Sequence, residues 1–134
     1  MQEAHDFVKE CGFYIIATVD GDQPHVRGFN SFEIINGRLY VMTGKKKDVY
    51  KQLDKNPKFE LVAIKPDRSG WVRISGALED DPDIEPQKEY LKRNPYFNDS
   101  YQPGDGNMAM LYITNATARY FTFPGPVEVK RNNF

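Results

Sequence analysis

Four lysines fall within TGKKKDVYKQL, Thr43 to Leu53, three of them consecutive. Thr43 ends an apolar strand, Gly44 follows, and Lys45, Lys46 and Lys47 stand where a helix is expected to begin. A helix N-terminus presents free amide N–H groups and the positive end of its dipole, so ammonium groups there repel one another and the dipole. A bound anion removes the conflict. A phosphate held by the Thr hydroxyl, backbone amides and one or two ammonium groups is the chemistry these residue types suit. The pattern also fits lysines that simply reach into water, at a cost of about a few tenths of a kcal/mol each. Nucleic acid is a poorer partner, because it would need a wider basic footprint with stacking aromatics.

Two further charges sit inside strands. Arg27 follows Pro24-His25-Val26, and Arg73 lies in WVRISG. Alternation along a strand puts Trp71, Arg73 and Ser75 on one face and Val72 and Ile74 on the other. A Trp and an Arg on one face can stack on a planar ligand and fix its anionic end, or the Arg can pair with an acid across strands. No residue pattern for side-chain catalysis is visible. Cys11 lies on the apolar face of a terminal helix and reads as a buried, inert thiol. His5 and His25 lack the spacing of a metal site, and the acids Glu79–Glu85 read as a solvated helix start. The chain has neither a dinucleotide fingerprint nor a Walker loop.

The elements that must position these groups follow from pattern and punctuation. Gln2–Cys11 reads as a helix stopped by Gly12. FYIIATV (Phe13–Val19) is a buried strand, and DGDQ turns it into a second strand, PHVRGFNSFEI. Asn36–Gly37 marks a hairpin into RLYVMT. A helix from about Lys46, pinned by Val49 and Leu53, ends at Asn56–Pro57. Phe59–Lys65 and Trp71–Glu79 are two more strands. EDDPDIEP opens a helix to Lys92. MAMLYITNATARYFTF is a last long strand, and PVEVKRNNF is a tail with no assigned form. The whole is mainly β, a six-stranded antiparallel split barrel with two or three peripheral helices. The 134 residues fit one domain, 1–134, able to bury a core without disulfides or metal. Eighteen basic against nineteen acidic residues give a net charge of −1, which excludes a global attraction to polyanions. A single cysteine, no apolar run of about 20 residues and no signal-peptide pattern point to a cytoplasmic protein that does not enter membranes.

FYIIATVDGDQPHVRGF, LYVMTGKKKDVYKQLDKNPKFEL and WVRISG, in this order and spacing, resemble the FMN-binding split-barrel proteins of the pyridoxamine 5′-phosphate oxidase-like family. The resemblance runs from about Phe7 to Phe121. It implies a flavin phosphate gripped by Arg27, Thr43 and Lys46 or Lys47, with Lys47 the first choice. It places Arg27, Gly28, Phe29 and Asn30 along the isoalloxazine edge, Met42 near the ribityl chain and Trp71 against the ring, with Arg73 beside it. It also implies a homodimer with flavin sites at the interface and a small-molecule substrate. Two departures stand against the vitamin oxidase proper. Gly28 follows Arg27 where that enzyme has bulky apolar residues, and the tail KRNNF lacks its Arg, Trp and His groups. The expected function is an FMN-dependent oxidoreductase with an unknown small organic substrate. The alternative is a non-enzymatic carrier of FMN or haem on the same barrel.

Overall fold

Period-two alternation of apolar residues builds the sheet. Ile16, Leu61, Ile74 and Ala118 are cross-strand partners on four successive strands, each 0–1% exposed, and they form the barrel's inner layer. The computed structural model describes residues 1–124 and 127–134. Its elements are α1 (Gln2–Cys11), β1 (Tyr14–Asp20), β2 (Gln23–Phe29), β3 (Glu33–Ile35), β4 (Arg38–Gly44), α2 (Asp48–Lys55), β5 (Lys58–Ile64), β6 (Gly70–Asp81), α3 (Ile84–Arg93), a 3-10 turn (Pro95–Phe97), β7 (Met108–Thr122) and β8 (Val127–Asn133).

The strands form one antiparallel sheet in the order β2-β1-β5-β6-β7-β4-β3, with β8 added to β7. The two ends of that path, β2 and β3, are consecutive in the chain. Four Cα steps from Phe29 to Glu33 reach at most about 14 Å, so the sheet must curl until its ends nearly meet. That is a split barrel, closed everywhere except between β2 and β3–β4. α1 ends at Gly12, whose φ of 75° lets its N–H turn back to the carbonyls of Val8 and Lys9.

Eight strands stand where six were expected, for two reasons. The run PHVRGFNSFEI does not stay one strand. Ser31 and Phe32 are both buried, which breaks the alternation. Phe32 packs edge-on to Tyr14, whose hydroxyl donates to Ser31 O at 2.6 Å. The tail forms β8 on β7, although its first residue, Pro126, lies outside the described residues. The second helix also starts later than Lys46. Lys45 N and Lys46 N donate to Asn107 O (2.6 Å) and Oδ1 (3.1 Å), and Lys47 N to Gly44 O (3.0 Å), which holds 44–47 as a turn. The acidic stretch divides as well, with Asp80 and Asp81 extending β6 and Asp83 capping α3 through Glu85 N.

Asp81 ties β6 to β4 and carries a pH dependence. Its Oδ2 accepts from Tyr40 Oη (2.7 Å) and Arg38 Nη1 (3.0 Å), and its Oδ1 from Asp83 N (3.0 Å). Burial alone would raise its pKa. The Tyr40, Asp83 and Arg38 hydrogen bonds outweigh burial and hold the carboxyl below its ordinary value. The folded pKa is thus lower than the unfolded one. The stabilisation is complete above the unfolded value of about 3.9 and is lost as pH falls through the folded value. Asp81→Asn is expected to cost roughly 1–3 kcal/mol at pH 7. Melting curves should show the gap from wild type closing below about pH 4.

Candidate functional site

The short β3 creates the site. It pairs with β4 only over Arg38–Tyr40, so the end of β4 faces the split without a strand neighbour on that side. Ser31 partly fills the gap, its Oγ accepting from Met42 N at 2.5 Å. Beyond it lies a cavity of about 420 Å³. The end of β2 and the residues after it supply one wall, through Gly28, Phe29, Asn30 and Ser31. Met42 and Thr43 of β4 supply another, and Lys47, the N-cap of α2, a third. Phe97, Ser100 and Tyr101 close the remaining side.

Thr43 is 2% exposed, and its Oγ1 is buried without a hydrogen-bond partner. Of the three consecutive lysines, only Lys47 reaches the cavity. Lys45 turns to Asp80 (4.0 Å) and to the Tyr50 ring (5.9 Å), while Lys46 stays exposed in the turn. No side chain caps the start of α2, so its first amides have no side-chain acceptor. Gly28 lies under an aromatic ring. A Cβ there would meet the ring of Phe13, a side chain 56% exposed, which now covers that position.

Six of the ten residues singled out in the sequence therefore line one cavity: Gly28, Phe29, Asn30, Met42, Thr43 and Lys47. Arg27, Lys46, Trp71 and Arg73 do not line it. Arg27 turns under β1 towards α2, where it bonds Thr18 and Gln52. Trp71 and Arg73 share a face, as alternation requires, but Val72 and Ile74 are the inward pair, each 0% exposed. Trp71 and Arg73 consequently lie on the outside of the barrel. There Trp71 stacks on Phe121 at 4.9 Å and Arg73 pairs with Glu60.

Ser31, Phe97, Ser100 and Tyr101 were not anticipated. The last three belong to the irregular segment between α3 and β7, which Asp105 organises by accepting from the amides of Gln102, Asn107 and Met108 at 2.7–3.0 Å. Burial works against that carboxylate, and the amide bonds overcome it, so its pKa is lowered. Asn107, held this way, is the residue that fixes the lysine turn. Elsewhere, His5 bonds Asp6 and stacks on Phe32. Burial pushes the Cys11 thiol up, away from a reactive thiolate. Among the described residues no group of three His, Cys, Asp or Glu is placed to hold a metal, and no helix is long and apolar enough to cross a membrane.

A curled antiparallel sheet with a cavity at its split defines the split-barrel class. Within it, the chain belongs to the pyridoxamine 5′-phosphate oxidase family, whose model matches residues 1–122. A NimC/NimA family protein from Clostridium acetobutylicum is similar over 100% of this chain and 93% of its own, at 30% identity and a TM-score of 0.92. A pyridoxamine 5′-phosphate oxidase-related, FMN-binding protein from Nostoc punctiforme shares the fold at 15% identity and a TM-score of 0.64, over 98% of this chain and 87% of its own. A heme-binding protein from Mycobacterium smegmatis shares it at 11% identity and a TM-score of 0.72, over 98% and 56%. No curated protein matches the chain.

Proposed function

We propose that the cavity receives the phosphate end of FMN and that the protein is a cytoplasmic, homodimeric, FMN-dependent oxidoreductase acting on a small organic substrate. Thr43 carries this reading. A buried hydroxyl without a partner costs roughly 1–3 kcal/mol, and a phosphate oxygen accepting from it removes that cost. The uncapped start of α2 adds amides and a favourable dipole, and Lys47 adds a charge-assisted donor. Among the described residues β2 pairs only with β1, so its outer edge offers free backbone groups beside Gly28–Asn30 for the polar rim of a planar ring. When bound, the flavin supplies the redox chemistry. The chain's part is to bind it, orient it and limit water at the split. That division suits a site whose lining holds hydroxyls, an amide and an ammonium but no nucleophile paired with a base.

Titration of purified protein with FMN tests the reading. Quenching of flavin fluorescence and a protein-bound flavin spectrum are expected, followed by reduction of the bound flavin by NADH or NADPH in stopped flow, with multiple turnovers when dioxygen is present to reoxidise it. An absence of quenching removes the flavin. Binding without turnover favours the carrier, and a Soret band on addition of haem with no flavin binding favours a haem protein.

A further inference from the structure

Tyr101 lines the cavity from the irregular segment between α3 and β7 and is 8% exposed. It packs in an apolar cluster with Met42, Tyr90 and Met108. Its N–H donates to Phe97 O at 3.0 Å, and the Phe97 ring stands edge-on to its own at 6.2 Å. Main chain and ring are both held, so the position of the hydroxyl is set before any ligand arrives. That hydroxyl lies over Gly44. A Cβ on Gly44 would stand 3.0 Å from Tyr101 Oη and 3.3 Å from Asn107 Nδ2, closer than ordinary van der Waals contact. The missing side chain at position 44 is what lets the phenol approach the main chain there.

Gly44 joins two groups already placed at the cavity. Before it stands Thr43, with its unpartnered buried hydroxyl, and after it runs the turn that ends at Lys47. The segment that carries Tyr101 also fixes that turn, since Asn107 accepts from the amides of Lys45 (2.6 Å) and Lys46 (3.1 Å). One stretch of chain therefore shapes the lysine turn and brings an O–H to its edge. We infer that Tyr101 is a further anion-binding residue: its phenol donates to a phosphate oxygen of the bound ligand, alongside Thr43 and Lys47. The inference rests on the flavin reading of the cavity. A phosphate offers three strong acceptor oxygens, more than one hydroxyl and one ammonium can fill. A phenol adds a donor without adding a fourth like charge to the lysine run.

Tyr101→Phe deletes the oxygen and keeps the ring, so the cavity wall survives. FMN and riboflavin differ by the phosphate, and fluorescence titration with both isolates the donor. The variant is expected to bind FMN roughly tenfold more weakly, as for one hydrogen bond to a charged group, and riboflavin as wild type does. Lys47→Ala should show the same selectivity for the phosphate. The Tm of ligand-free Tyr101→Phe should equal or exceed that of wild type, while the rise in Tm on adding FMN should shrink. Equal losses for FMN and riboflavin would overturn the inference, because they would set the phenol against the ring or the ribityl chain. Unchanged affinity for both would overturn it too and leave Tyr101 to packing alone. A lower Tm for the ligand-free variant would show the hydroxyl bonded within the protein, which also overturns it. Wild-type protein that quenches neither flavin removes the flavin reading itself, a result distinct from all of these.

Discussion

Thr43→Val is expected to stabilise the ligand-free protein and to weaken its hold on FMN. The two effects have one cause. Thr43 Oγ1 is buried with no partner, so the folded apo-protein carries its desolvation cost unrelieved. Valine keeps the shape, removes the hydroxyl and suits a strand. About 1 kcal/mol of added stability results, which for a domain of this size raises Tm by roughly 3–5 °C. The same change deletes a donor to an anionic oxygen, worth about 1.5–3 kcal/mol, so FMN affinity should fall roughly ten- to a hundredfold. Riboflavin affinity should barely move. Differential scanning calorimetry of apo-protein and fluorescence titration with both flavins measure the pair. A lower Tm with unchanged FMN affinity would mean that Thr43 serves packing alone. The proposed phosphate would satisfy the unpartnered Thr43 Oγ1, and the paired measurements test that role.

The sequence carried the local rules and lost what depended on distant partners. Asn36–Gly37 was legible as a tight hairpin because both residues take the left-handed conformation, φ 49° and 78°, that Asn-Gly tolerates. Gly12 was legible as a helix stop for the same reason. The lysine run was legible as a charge cluster at the start of a helix, but not which lysine faces the cavity. Asn107, some sixty residues downstream, takes the amides of Lys45 and Lys46 and so leaves Lys47 as the one lysine facing the cavity. Alternation correctly grouped Trp71 with Arg73, but period two says which residues share a face and not which face is inside. Val72 and Ile74 won the interior, so the Trp–Arg face went outward. Phe97, Ser100 and Tyr101 had no periodic signal at all, because they enter the site from an irregular segment that Asp105 and the amides around it shape. β8 hid in a tail where Val127 and Val129 alternate with Glu128 and Lys130, a weak signal that becomes a strand only by pairing with β7.

The outward face makes the second large prediction. Register carries one stripe across five strands. Val26 lies opposite Ala17, Ile15 opposite Val62, Ile64 opposite Trp71, and Trp71 opposite Phe121. Val26 is 68% exposed, Ile64 50% and Ile15 38%, and a shallow groove of about 210 Å³ runs between Ile15, Val26, Val62 and Arg73. Exposed apolar side chains in a row across a sheet, interrupted here by the Arg73–Glu60 pair, are costly in water and mark a covered face. We propose that a second copy of the chain covers it, and that this brings Trp71 and Arg73 near a flavin site at the interface. Val26→Asp combined with Ile64→Asp should then leave the barrel folded, since neither side chain belongs to the buried core. Each substitution would place a carboxylate where an apolar contact of about 1.5–3 kcal/mol stood, and a twofold interface repeats every change. The dimer should therefore dissociate at least a hundredfold more readily. Sedimentation equilibrium is the direct measurement, with circular dichroism to show that the fold persists. A wild-type chain that sediments as a monomer at all concentrations would refute the homodimer. A dimer that survives both substitutions would mean that the two copies meet elsewhere, and Trp71 and Arg73 would then have no route to the cavity.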